Sequence, residues 1–223
     1  NDPVISTATA RASYVNVYTG ALLTVANTGV LTINGASLKG LHNQGTTQNN
    51  GTITIGNLLA VGTNGLYNSG SFNNNTGGII NIDRATATAL YNAYGTFSNA
   101  GTIVIGANAA SGADGIDNDA IFNNIAGGII NIDRVTSAGI YNNGTTFTNA
   151  GTITMGSLSG GNTINWGVYS DKPFTNSGGQ INIDRVSAAL AANAGTINNS
   201  GTITIGAVAP VTTLLSNTGT GTF

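Results

Sequence analysis

The phrase Asn149-Ala-Gly151-Thr-Ile153-Thr-Met155-Gly156 has close copies starting at Asn49, Asn99 and Asn199, one every 50 residues. A second phrase, Gly-Gly-Ile-Ile-Asn-Ile-Asp-Arg, falls between them from Gly77 and Gly127, and as Gly-Gly-Gln-Ile-Asn-Ile-Asp-Arg from Gly178. The glycines that open each G-x-I-x-I motif are Gly29, Gly51, Gly78, Gly101, Gly128, Gly151, Gly179 and Gly201, with steps of 22, 27, 23, 27, 23, 28 and 22. The unit is therefore one coil of 22 to 28 residues in two alternating flavours. A fixed period of this length is the signature of a solenoid, in which each repeat buries its apolar face only against its neighbours.

Each coil holds three short pieces that alternate apolar and polar residues, the period of a strand. One reads L-Y-N, as in Leu66-Tyr67-Asn68. The next reads F-x-N, as in Phe72-Asn73-Asn74, and the third I-x-I, as in Ile80-Asn81-Ile82. Gly and Asn punctuate them, and both tolerate tight turns. No piece can bury its face alone, so equivalent pieces pair from coil to coil at ~4.8 Å and run as parallel sheets. The fold class expected is all-β: a parallel β-helix of about eight coils with three short strands per coil. Coils this long favour the right-handed form.

Four inward rows follow. Leu31, Ile53, Ile80 and their equivalents to Ile203 form one, and Ile33 to Ile205 a second, with Met155 in place of Ile. Leu41, Leu66, Leu90, Ile116, Ile140, Val168 and Leu190 form a third. The last is read as Val25, Phe72, Phe97, Phe122, Phe147, Phe174 and Ile197, ending at Phe223. These rows fill the interior and leave no ligand cavity. Two Asn rows accompany them: Asn27, Asn49, Asn74, Asn99, Asn124, Asn149, Asn176 and Asn199; and Asn43, Asn68, Asn92, Asn118, Asn142 and Asn217, interrupted by Ser170 and Ala192. Stacked Asn amides hydrogen-bond along such an axis.

The phrase Phe147-Thr-Asn-Ala-Gly-Thr-Ile-Thr-Met-Gly156 and its relatives resemble the coils of filamentous haemagglutinin-type and autotransporter-passenger β-helices, over residues 25 to 206. The resemblance implies a secreted or cell-surface bacterial protein, often an adhesin or its stalk, and transfers no functional residue. The strict 50-residue period departs from that group. Residues 1–24 break the pattern and are expected to form an N-terminal cap. The β-helix is expected over 25–223, with its last coil cut short in a longer chain.

Charged residues are 6% of the chain against a usual ~25%, and the net charge is -2. No basic footprint for nucleic acid is present, nor a polybasic membrane anchor. No apolar run approaches the ~18 residues of a membrane-spanning helix. The absence of Cys excludes disulfides and thiolate metal sites. No cofactor signature stands out, and no enzyme is expected: Glu is absent, and His42 is the only His. A polysaccharide-degrading β-helix would need paired carboxylates at set distances.

Four features are candidates for chemistry. Tyr67, Tyr91, Tyr141 and Tyr169 occupy the outward slot of the L-Y-N piece, with His42 and Asp117 in other coils. Such rings stack on sugars or simply cover neighbouring strands. Trp166, the only Trp, ends the longest insertion and, with Tyr169 and Lys172, forms a candidate contact patch. Asp114, Asp117 and Asp119 could hold Ca²⁺, although their spacing matches neither the EF-hand nor the nonapeptide calcium repeat. Asp83-Arg84, Asp133-Arg134 and Asp184-Arg185 recur in alternate coils; turn chemistry accounts for them, and a stacked-guanidinium anion site is the alternative. Outward Thr-x-Thr pairs such as Thr52/Thr54 would suit ice, but Ile79/Asn81 and Gln180/Asn182 interrupt the array. The reading is an adhesin-like rod with surface glycans as partners, or else a passive spacer.

Overall fold

A computed structural model describes residues 2–7, 10–158, 164–217 and 219–223. All of its regular structure is strand, with no helix among the described residues. The strands form three parallel sheets of nine, and successive strands pass from one sheet to the next in fixed rotation. The result is a β-solenoid of about eight turns, roughly 38 Å long at a spacing of ~4.8 Å. We name the sheets by their marker residue: Phe sheet, Ile sheet and Tyr sheet, in chain order. The segment expected as a cap enters the same sheets, since Val4–Ile5, Ala10–Ala12 and Val15–Val17 each pair with the next coil.

The core follows from strand alternation. In Thr52–Ile55 the isoleucines are buried and the threonines half-exposed. Ile53, Ile80, Ile103, Ile130, Ile153 and Ile181 stand in direct register and are fully buried. The five Phe rings stack between 4.6 and 4.9 Å apart, tilted by no more than 17°. At about 25 cal/mol per Å² of apolar surface removed from water, these rows are the main source of stability.

One row assignment needs correcting. Leu23, not Val25, fills the Phe row, through Thr47, which pairs with Phe72. Val25 pairs with Asn49 and starts the Asn row, while Asn27 is exposed. The consequence is physical: Val25 offers no donor, and the buried Asn49 Oδ1 has no hydrogen-bond partner. The other Asn row starts better. There the hydroxyl of Thr47 donates to Asn43 Oδ1 at 2.9 Å, which gives a reason for Thr rather than Phe at position 47.

Each of the three corners has its own fastening. Between the Phe and Ile sheets, Nδ2 of each Asn from Asn49 to Asn176 donates to the next Asn Oδ1 at 2.7 Å. Between the Tyr and Phe sheets, Asn43, Asn68, Asn92 and Asn118 do the same at 2.7–2.8 Å, and Asn142 donates to Ser170 Oγ at 3.2 Å. The third corner, between the Ile and Tyr sheets, varies in length, and the Asp-Arg pairs hold it. Asp83 accepts backbone N–H bonds from Asn108 and Ala109 of the following coil. Arg84 reaches the other way and donates to the carbonyls of Gly56 and Asn57 in the preceding coil. Asp133/Arg134 and Asp184/Arg185 repeat the arrangement. Each Arg sits at a φ of 50–55°, in the left-handed region that side chains rarely adopt. Opposite them stand glycines such as Gly106, where a Cβ would lie 1.9 Å from the Asp133 carbonyl oxygen.

Candidate functional site

The outward row of the Tyr sheet runs His42, Tyr67, Tyr91, Asp117, Tyr141, Tyr169, Ala191 in direct strand register. The alternation that buries Leu66, Leu90, Ile116 and Ile140 turns these side chains outward. All four tyrosines are half-buried. His42 meets Tyr67 edge-on at 4.9 Å, and Tyr67 meets Tyr91 edge-on at 5.2 Å. Beyond Asp117, Tyr141 and Tyr169 lie 5.5 Å apart, and Trp166 meets Tyr169 at 5.5 Å. The stripe is thus two aromatic groups parted by one carboxylate.

Both groups carry polar partners that sequence reasoning missed. The Lys39 ammonium lies 3.4 Å from the centroid of the Tyr67 ring, a cation–π contact. Lys39 stands three residues before His42, on the same outward face, and a lysine beside a ring one coil away was the available signal. The Tyr91 hydroxyl donates to Asp119 Oδ2 at 2.5 Å, and the Tyr141 hydroxyl to Asp171 Oδ2 at 2.8 Å. Burial, then these hydrogen bonds, push both phenols above their ordinary range. Burial, and then Lys39, hold His42 below the usual imidazole value.

Asp117 is the most perturbed carboxyl. Burial between the rings, then the charges of Asp119 and Asp114, raise it to about 7. Its Oδ1 is buried and has no hydrogen-bond partner. The three aspartates weighed as a calcium site are drawn into separate roles. Asp114 Oδ1 accepts the Ala138 N–H at 3.0 Å, and Asp119 takes the Tyr91 hydroxyl. Among the described residues, no three His or carboxylate side chains converge as a metal ion would require.

A groove of about 390 Å³ opens beside the second aromatic group, lined by Asp114, Ser137, Ala138, Tyr141, Trp166 and Tyr169. It brings Trp166 and Tyr169 together and adds Asp114 from two coils earlier. Lys172, placed in that patch by the sequence, does not line it; its backbone oxygen accepts a bond from Ser170 Oγ. Residues 159–163 of the preceding insertion lie outside the described residues. A second depression, of about 330 Å³, lies at the other end of the stripe and is lined by Tyr14, Leu38, Lys39 and His42 among others.

The outward rows of the Ile sheet interleave Thr52, Ile79, Thr102, Ile129, Thr152 and Gln180. Ile79 and Ile129 are about 40% exposed, so the Thr array is broken every second rung. No helix among the described residues is long and apolar enough to cross a membrane. No family model matches the chain, and neither a curated protein nor a solved structure does.

Proposed function

We propose that this chain is a rigid, non-catalytic rod of a secreted or cell-surface bacterial protein, whose Tyr sheet is an adhesive face for surface glycans. The observation that carries this is the register of Tyr67, Tyr91, Tyr141 and Tyr169, which sets aromatic rings along one side of the rod. Half-buried rings present flat apolar faces and lose little entropy when a sugar stacks on them. Carboxylates beside them supply hydrogen-bond acceptors for hydroxyls. The coil resemblance to filamentous haemagglutinin-type β-helices supports the same reading.

A glycan array probed with the 223-residue protein tests it. The expected result is a specific set of hits lost in the triple variant Tyr67→Ala, Tyr91→Ala, Tyr141→Ala, with an unchanged circular dichroism spectrum. Hits that survive the triple substitution would remove the Tyr sheet as the adhesive face. One observation favours a second reading, a passive spacer: the interior is filled by apolar rows, and the core offers nothing to a ligand. An array without hits favours the spacer.

A further inference from the structure

Resting on the glycan reading of the Tyr sheet, the geometry points to a narrower ligand class. We propose that the groove between Asp114 and Trp166 seats a sugar whose amino group is free and positively charged. The slot is made by one small residue. Ala138 takes its N–H to Asp114 on one side and pairs with Trp166 on the other. Ala138 is 2% exposed and lines the groove between them. Asp114 and Trp166 therefore stand two strand spacings apart, ~9.6 Å along the rod axis. Tyr141 and Tyr169 wall one side, tilted 59° to each other, and Trp166 stands at 65° to Tyr169. The volume falls in the range of small-ligand sites, ~300–1,000 Å³.

Charge selects among sugars. Ring faces are the negative side of an aromatic quadrupole, and this one stripe already accepts an ammonium where Lys39 covers Tyr67. At the groove the chain sets carboxylates beside the rings instead. Asp114 lines it, and Asp117 lies next to Tyr141 in the outward row with an unpartnered Oδ1. Burial first, and then the charges of Asp119 and Asp114, keep Asp117 largely protonated below about pH 7, so the carboxylate that offers charge to the groove is Asp114. An ammonium complements the Asp114 carboxylate and supplies three donors. An acidic sugar would be repelled, and an N-acetylated or neutral sugar could only stack and hydrogen-bond. Ser137 also lines the groove, and its hydroxyl is a further hydrogen-bonding group for a sugar.

The test is isothermal titration calorimetry of the 223-residue protein with hexamers of β-1,4-linked glucosamine, N-acetylglucosamine and glucose. The buffer should sit at about pH 6, below the usual range of an amine and above that of an ordinary carboxyl. The glucosamine hexamer is expected to bind about tenfold or more tightly than the other two, a difference of about 1.4 kcal/mol. Asp114→Asn keeps an acceptor for the Ala138 N–H, so it should preserve the fold and abolish the preference. Trp166→Ala should weaken all binding. Equal or tighter binding of the acetylated or neutral hexamer would overturn the ammonium assignment and leave the glycan reading standing. A preference for glucosamine that survives Asp114→Asn, or binding undiminished by Trp166→Ala, would place the site elsewhere. Failure of all three hexamers to bind the folded protein would overturn this inference and count against the glycan reading as well.

Discussion

Two aromatic ladders climb this rod with the same rise per rung, one inside the Phe sheet and one outside the Tyr sheet. Inside, Phe72, Phe97, Phe122, Phe147 and Phe174 are fully buried and nearly parallel, each within 17° of the next. Outside, neighbouring tyrosines meet at 59–87°, and Asp117 interrupts them. The backbone translation is the same, so the difference lies in packing. A close-packed interior gives each Phe identical neighbours, and the rotamer that fits one rung fits all. Solvent on the outer face lets the rings tip toward the edge-on contacts their quadrupoles favour, and lets a carboxylate enter. The inner ladder is fixed by folding; the outer one is free to vary, which is where a binding surface can be written.

The largest expected effect breaks the inner ladder. Phe122→Ala removes a ring stacked on both faces and should cost about 3–5 kcal/mol, because neighbours at fixed strand spacing cannot collapse into the hole. Tyr141→Ala, one coil away on the outside, should cost about 1 kcal/mol, as a surface residue that loses one hydrogen bond. Urea midpoints of the two variants compare them directly. Equal losses would show that the outer ladder is part of the fold.

Next comes the Asn row beside the inner ladder. In Asn124→Ala, Asn99 Nδ2 keeps its bond to the Ile129 carbonyl, but Asn149 Oδ1 loses its donor inside the core. One buried orphan of this kind costs about 1–3 kcal/mol. The loss should exceed that of Tyr141→Ala, and a loss below it in the same urea titration would make the stacked amides dispensable.

The inner rows were legible in the sequence because strict repetition needs no knowledge of the corners. They failed only where the marker was missing. With Leu23 and Thr47 in the Phe slot, the register slipped by two residues, which put Val25 in the Phe row instead of the Asn row and gave its place there to Asn27, which is exposed. The outer Tyr row was legible for the same reason as the inner ones, through the L-Y-N phrase. The groove was not. Asp114 and Trp166 lie far apart in the chain, and the third corner between them varies in length, so nothing in the spacing aligns them across Ala138. Adjacent Asp and Arg read as turn chemistry or as a stacked anion site. The positive φ at Arg84, Arg134 and Arg185 turns the two side chains along opposite directions of the axis, which no local pattern reveals.

The interruption at Asp117 has its own pH signature. Its carboxyl is raised from 3.8 to about 7, so between those values the folded protein holds a proton that the unfolded chain has released. Stability must then fall as pH rises through that window, and level off above it. Asp117→Asn should remove this part of the slope, changing stability least at pH 4 and raising it most at pH 7 and above, read as thermal midpoints across pH 4 to 8. A slope unaltered by the substitution would mean that the row tolerates the charged form without cost.

The smallest effect bears most directly on what the outer ladder accepts. Lys39 lies over Tyr67 with its ammonium 3.4 Å from the ring centroid, and burial lowers its affinity for a proton. An exposed contact of this type is worth about 0.5–1 kcal/mol. Lys39→Met keeps the apolar stem and removes the charge. A double-mutant cycle with Tyr67→Leu isolates the coupling from changes in packing, since the two side chains touch and their effects should not add. A coupling of about 0.5–1 kcal/mol that persists at high salt is expected, because a cation seated on a ring face is less screened than an exposed ion pair. A coupling of zero would mean that Lys39 only rests there. The ring faces of the Tyr sheet would then have no demonstrated pull on an ammonium, and selection of a charged sugar at the groove would fall to Asp114 alone.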